Sequence, residues 1–182
     1  MVRRGVSKEE WLEAGLEAIG RGGVSGLTVK GLARKLGIAK AGFYWHFKNR
    51  DDMLRQLLDY WTHQLTEVVT SNVELLKLGP RERLIKTAQM ILDYDLSKYD
   101  LAVREWALQN PEVAKVVRKV NRFRLDFVRQ ALSELGFDDK EQEIRAMLFV
   151  CYHSWEYLMF SDISRKRRRE QIARRIEILT RK

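Results

Sequence analysis

The 182-residue sequence predicts an all-α protein of about nine helices. Three observations carry this. Apolar residues recur at i, i+3 and i+4 in one stretch after another. Several stretches open on Ser, Thr, Asn or Asp and close on Gly, and no run alternates as a half-buried strand would. Prolines number only two, so little interrupts helices.

The first helix should begin after Ser7, because Ser7 and Glu10 have capping-box spacing; Trp11, Leu12, Gly15, Leu16 and Ile19 form its inner stripe. Gly20, Gly22, Gly23 and Gly26 break it. Thr28 caps a second helix with Val29, Leu32, Ala33 and Leu36 on one face, and Gly37 supplies the left-handed residue that ends it. A third helix then carries Lys40 to Phe47, with Phe43 and Phe47 pointing inward and Lys40, Tyr44, Trp45 and His46 on other faces.

Asn49 caps a fourth helix, Asp51 and Asp52 stabilising its positive end, and its apolar period continues to about Leu78. Such a helix is roughly 40 Å long at 1.5 Å per residue, enough to connect two domains. Gly79-Pro80 opens a fifth, with Leu84, Ile85, Ala88, Ile91 and Leu92 inward. Asp100 caps a short sixth through Trp106, and Asn110-Pro111 starts a seventh whose inner face runs from Val113 through Phe123 and Phe127 to Leu135. Asp138 with Glu141 caps an eighth, apolar almost all round between residues 144 and 160, so it needs cover on more than one side. A last helix from about Ser164 bears a narrow stripe of Ile172, Ile176 and Leu179 beside the basic run Arg165-Lys166-Arg167-Arg168-Arg169, read as solvated charge beside a dimer interface.

Hydrophobic residues make up 45% of the chain, enough for a folded core. No apolar run approaches the ~20 residues that span a bilayer, and Met1-Val2-Arg3-Arg4 leads into no signal-peptide core, so a cytoplasmic protein without a membrane partner is expected. The single cysteine, Cys151, excludes an intrachain disulfide, and its apolar neighbours predict a buried, inert thiol. Net charge is +9, unevenly spread: residues 1–50 hold ten Lys/Arg against four Asp/Glu and residues 164–182 nine against two, while the middle holds fifteen against nineteen. Basic charge on the helix-turn-helix end is what a polyanion-binding module needs. The third helix fits a DNA major groove, where side chains near its N-terminus reach base edges, and Arg3 and Arg4 read first as a solvated basic tail and second as a minor-groove arm.

The run Leu27-Thr28, Leu32-Ala33, Leu36-Gly37-Ile38, Tyr44-Trp45-His46-Phe47, Asn49-Arg50 and Met53-Leu54 resembles the DNA-binding signature of TetR-type (tetracycline-repressor-like) transcriptional regulators over residues 7–54. A looser likeness of Arg104-Glu105-Trp106 to Leu125 points to one subgroup. The resemblance implies a helix-turn-helix DNA-binding domain over 1–49 and a helical bundle for effector binding and dimerisation over 50–182, in a homodimer that binds a palindromic operator. It implies a repressor released by a small lipophilic or aromatic effector; the alternative is a constitutive or architectural DNA-binding factor.

Site roles follow position by position. Thr28 and Lys30 match positions on phosphates or flanking bases, and Lys40 matches a base reader chemically suited to guanine. Ala41 could touch a thymine methyl, Tyr44 and His46 match backbone contacts, Trp45 is part reader and part packing, and Arg50 matches a phosphate grip. Gly42 stands where relatives carry a DNA-touching side chain, and Ala39 where they carry a polar cap. Aromatic and apolar residues of the larger domain, namely Trp61, Met90, Tyr94, Trp106, Phe123, Phe127, Tyr152 and Trp155, are candidates to line an effector pocket, with Asp93, Glu105 or Asn121 supplying polarity. Phe149, Leu158, Ile172, Ile176 and Leu179 are the candidate dimer interface.

An enzyme is not expected. His46, His63 and His153 are far apart, Cys151 and His153 as well as Asp93 and Asp95 are two apart and face differently, and there is no glycine-rich phosphate loop after a strand. Neither metal nor cofactor is implied.

Overall fold

A computed structural model describes residues 5–182, so the arm residues Arg3 and Arg4 lie outside the described residues. All regular structure in the described residues is helical. By its contacts the chain divides into two compact units, the first comprising the chain to His63 with Leu101–Val117, the second Gln64–Asp100 with Arg118–Lys182.

In the first unit, α1 (Lys8–Gly26) starts at the expected capping box: the Ser7 hydroxyl accepts from the Glu10 N–H, and the Glu10 carboxylate accepts from the Ser7 N–H at 2.7 Å. Its last turn kinks at Gly22 and Gly23, where Gly23 has φ +65°. α2 (Val29–Leu36) opens on Thr28, whose Oγ1 accepts from the Gly31 N–H at 3.1 Å. It closes on Gly37 at φ +66°, with the Ile38 N–H reaching back to the Ala33 carbonyl. α3 covers only Ala41–Tyr44, shorter than the predicted Lys40 to Phe47. Lys40 makes no side-chain cap and Gly42 has low helix propensity, so the helix is short, and it closes with the His46 and Phe47 N–H groups both bonded to the Phe43 carbonyl at 3.0 Å.

α4 (Arg50–Thr62) is capped by Asn49, whose Oδ1 accepts from the Asp52 N–H at 2.8 Å. α1 and α4 approach closely at Gly15, where any Cβ would meet the Met53 and Leu57 side chains. α8 (Asp100–Gln109) adds Ala102, Val103 and Trp106 to this unit's buried residues, Ala102 lying beside Gly20. Trp11, Leu16, Ile19, Leu27, Leu32, Phe43, Phe47, Met53, Leu57 and Trp61 are its innermost side chains.

The helix expected to run unbroken from Asn49 to about Leu78 does not. α4 passes into a π-helical turn at His63–Glu67, then α5 (Val68–Thr70), and helix breaks at Ser71. Asn72 then caps α6 (Val73–Leu76), its Oδ1 accepting from the Glu74 and Leu75 N–H groups. Two hydroxyls back-bond along this stretch, Thr62 to the Leu58 carbonyl and Thr70 to that of Thr66. Such bonds bend helices, and Ser71-Asn72 offers a stop and a fresh N-cap that the apolar period alone conceals.

The second unit packs α7 (Pro80–Asp93), α9 (Pro111–Glu134) from Arg118 onward, α10 (Asp139–Met159), α11 (Arg165–Glu170) and α12 (Ile172–Leu179). Asn110 and Asp138 cap α9 and α10 as predicted, and Gly136 at φ +78° ends the former. The core joins Leu84, Ala88 and Leu92 of α7 to Val128, Ala131 and Leu132 of α9, Ala146 and Phe149 of α10, and Ile172 and Ile176 of α12. Polar clamps surround it: buried Arg83 grips Glu134 with two bonds of 2.9 Å, and Arg81 donates to the Thr180 hydroxyl at 3.0 Å. The predicted last helix is two, α11 and α12, separated at Gln171.

α10 departs most from expectation. Its inner face is Ala146, Phe149, His153 and Glu156, while Ile144, Leu148, Cys151, Trp155 and Leu158 form an outer stripe at alternating spacings of four and three. Cys151 is therefore exposed, not buried, because it lies on the side of an all-apolar helix that the core does not cover. Four of the candidate dimer residues are occupied inside the protomer: Phe149, Ile172 and Ile176 are buried in the core and Leu179 packs against it. Leu158 alone of the five is exposed.

Candidate nucleic-acid interface and internal cavity

The α2–turn–α3 surface is built from the inside outward. Phe43 stands edge-on to the Trp11 ring at 5.5 Å and lies 5.0 Å from Phe47, all three rings buried. Anchoring these two phenylalanines turns the intervening Tyr44 and Trp45 away from the core: Tyr44 is 63% and Trp45 86% exposed. The two rings therefore form an exposed aromatic edge on the outer side of α3. Lys40 and Ala41 are exposed beside them, and Thr28 and Lys30 at the start of α2 are exposed too.

Three sequence candidates sit differently. A Cβ on Gly42 would meet the end of the Ile38 side chain at 3.2 Å and Trp11 at 3.9 Å, so Gly42 lies against neighbouring side chains rather than on the exposed edge. The His46 ring is half-buried, its Nε2 lying 3.0 Å from the Val6 carbonyl, which fixes the chain entering α1. Arg50 folds back: Nε donates to the Leu27 carbonyl at 2.9 Å and Nη2 to that of Val24, holding the loop between α1 and α2. Its sequence position shows only a basic residue at a helix start; the kink at Gly22–Gly23 that brings those carbonyls within reach is invisible there.

The second unit contains a partly open cavity of about 50 Å³. Its wall is largely apolar (Val69, Ile91, Leu96, Phe127, Val128, Phe149 and Val150), with Thr66, Thr70, Thr87, Ser97, Arg124, His153 and Ser154 supplying polar atoms. Arg124 is held by buried Asp100 in a two-pronged ion pair and also donates to the Thr66 hydroxyl at 2.8 Å. His153 Nδ1 lies 3.0 Å from the Glu156 carboxylate, and burial holds its pKa below the ordinary 6.5 although Glu156 pulls upward.

Among the effector candidates only Phe127 lines this cavity. Trp61 and Trp106 are buried in the first unit. Met90 packs against the second unit's core, Tyr94 is exposed, and Trp155 lies on the outer stripe of α10. Phe123 is partly exposed on a shallow outer groove that also contains Thr70 and Phe127. The Tyr152 hydroxyl accepts from Arg175 at 2.7 Å, with the guanidinium over its ring. Of the polar candidates, Asp93 pairs with Arg169 and Glu105 is exposed. Arg124 was legible in principle: it falls on the inward face of α9, one turn from both Val120 and Val128, where a lone cation needs a partner.

The described residues contain no cluster of His, Cys, Asp and Glu able to hold a metal, and no helix among them is long and apolar enough to cross a membrane. Residues 12–57 match the family described as bacterial regulatory proteins, tetR family. The tetracycline repressor protein class D of Escherichia coli is 43% identical over 54 residues, which are 30% of this chain and 23% of that protein. The chain thus spans about a quarter of the curated relatives it matches. Similarity of fold extends much further. AibR, solved in complex with isovaleryl coenzyme A and operator DNA, superposes with a TM-score of 0.69 at 22% identity over 94% of this chain and 97% of its own. FadR from Bacillus subtilis, solved with stearoyl-CoA, gives 0.66 at 17% identity over 96% and 98%. Residues 12–57 thus carry the helix-turn-helix segment described for bacterial regulatory proteins of the tetR family, and the all-helical fold of the chain is similar to that of solved regulators such as AibR.

Proposed function

We propose that this protein is a homodimeric transcriptional regulator that binds a two-fold-symmetric DNA operator through residues 28–47 and is released from it by a small-molecule effector bound in the larger unit. The observation that carries the reading is the exposed edge of Lys40, Ala41, Tyr44 and Trp45 standing on buried Phe43 and Phe47. A helix presented in this way enters a major groove, where Lys40 reads a base edge, Ala41 meets a thymine methyl and Tyr44 donates to phosphate. Thr28 and Lys30 add phosphate contacts from the start of α2, and Trp45 supplies an apolar face to sugar or base.

A symmetric operator needs two readers in successive major grooves, about 34 Å apart. The outer stripe of α10, together with Ile178 of α12, is the apolar surface available for a second copy. In a homodimer that stripe meets its own counterpart, which covers the side of α10 that the protomer leaves in water. The operator complex of AibR and the acyl-CoA complexes of AibR and FadR support both halves of the reading by similarity of fold.

Selection of fragments from random or genomic DNA by the purified protein, at physiological salt and with competitor, tests this. The expected product is one inverted repeat. Recovery of fragments without common sequence would favour an architectural DNA-binding factor instead.

A further inference from the structure

The cavity beside Arg124 says what kind of molecule it accepts. Its two lining ionisable groups are already answered from within the protein, Arg124 by Asp100 and His153 by Glu156. Arg168 and Arg175 stand 3.9 and 4.0 Å from Glu156, and neither lines the cavity. An incoming carboxylate would have to displace Asp100 from Arg124, and an incoming ammonium would meet a guanidinium and an imidazole already bonded to Glu156, whose pKa burial lowers. Either charge would be stripped of water without a partner.

One buried polar group on the wall is unanswered. The Thr87 hydroxyl lies on the cavity wall, is almost wholly buried, and has no hydrogen-bond partner among the described residues. A hydroxyl both donates and accepts, so it suits a neutral amide, alcohol or carbonyl. The remaining wall is mostly aliphatic and aromatic, interrupted by Thr66, Thr70, Ser97 and Ser154, and the space of about 50 Å³ admits only a compact group. Thr70 and Phe127 line both the cavity and the outer groove.

We propose that this cavity is a binding site for a small, uncharged, branched or cyclic apolar molecule carrying one hydrogen-bonding group, which bonds to the Thr87 hydroxyl. The proposal rests on the reading of the larger unit as effector-binding, and specifies the effector's chemistry. The test titrates full-length protein without DNA with isobutyramide, isobutyrate and isopropylamine. Calorimetry and the methyl NMR signal of Thr87 are the readouts. Isobutyramide is expected to bind, to shift that signal, and to outcompete the two charged isosteres by at least about tenfold, as an uncompensated buried charge requires. Thr87→Val, which keeps the shape and removes the hydroxyl, should weaken isobutyramide by about five- to tenfold, the loss of one buried hydrogen bond. Thr87→Ser should stay within about twofold of the native chain. Equal or tighter binding of isobutyrate, indifference to Thr87→Val, or no perturbation of Thr87 at saturating isobutyramide would each overturn the proposal. DNA selection by the unliganded protein is read separately, so failure here and failure of the regulator reading are told apart.

Discussion

Replacing Arg50 by Ala separates two roles for this side chain. In the family signature the position grips phosphate; in the structure its guanidinium holds the Leu27 carbonyl at 2.9 Å and that of Val24. Hydrogen bonds from a charged donor contribute about 1.5–3 kcal/mol each. The side chain is 37% exposed, so water replaces part of what is lost. Val24 also keeps its bond from the Leu27 N–H. Arg50→Ala should therefore cost about 2 kcal/mol, less than the sum of two full bonds. Arg50→Lys, able to reach one carbonyl, should lose about half as much. Urea denaturation followed by tryptophan fluorescence measures this, the midpoint falling without change of slope. At temperatures where the variant is folded, the dependence of DNA affinity on salt should equal that of the native protein. An unaltered midpoint, with a salt slope reduced by about one, would refute the argument and restore Arg50 as a phosphate ligand.

Lys40→Ala should relax preference at one base pair per half-site by about 1–3 kcal/mol, measured as competition between operators substituted at each position. Leu148→Glu and Leu158→Glu should each give monomers by light scattering; intact dimers would move the interface off α10. Thr87→Val should raise the stability of the free protein by about 1 kcal/mol, because it removes an unanswered buried hydroxyl, and a lowered urea midpoint would mean that the hydroxyl has a partner. His153 has a folded pKa below its ordinary 6.5, so between those two values the unfolded chain binds more protons. Its contribution to stability is present above pH 6.5 and lost as pH falls toward the folded value; His153→Gln should flatten the stability profile in that window.

Local chemistry was legible wherever a cap or a turn depends on adjacent residues. Ser7 with Glu10, Thr28, Gly37, Asn49, Asn110 and Asp138 all act where their spacing places them. The inward Phe43 and Phe47 follow from helical period, as does the outward Tyr44. What failed depends on which side of an apolar helix is covered. Periodicity shows that α10 is apolar all round but not that Phe149 meets the core while Cys151 meets solvent. Similarly, Ile172, Ile176 and Leu179 form a stripe whether they meet their own chain or a second copy, and they meet their own. The cavity is not legible in the sequence, because most of the large aromatic rings lie elsewhere and only Phe127 and Phe149 reach its wall. Its polar residues are threonines, serines, Arg124 and His153 drawn from separate segments, which share no sequence signal.

The central claim is that the edge formed by Lys40, Ala41, Tyr44 and Trp45 reads DNA in a two-fold-symmetric pair. A hydroxyl-radical footprint of the protein on a selected fragment addresses it most directly. Two protected patches are expected on one face of the duplex, about 34 Å apart and related by a dyad. Protection spread evenly along the fragment, or a single patch with no symmetric mate, would contradict it.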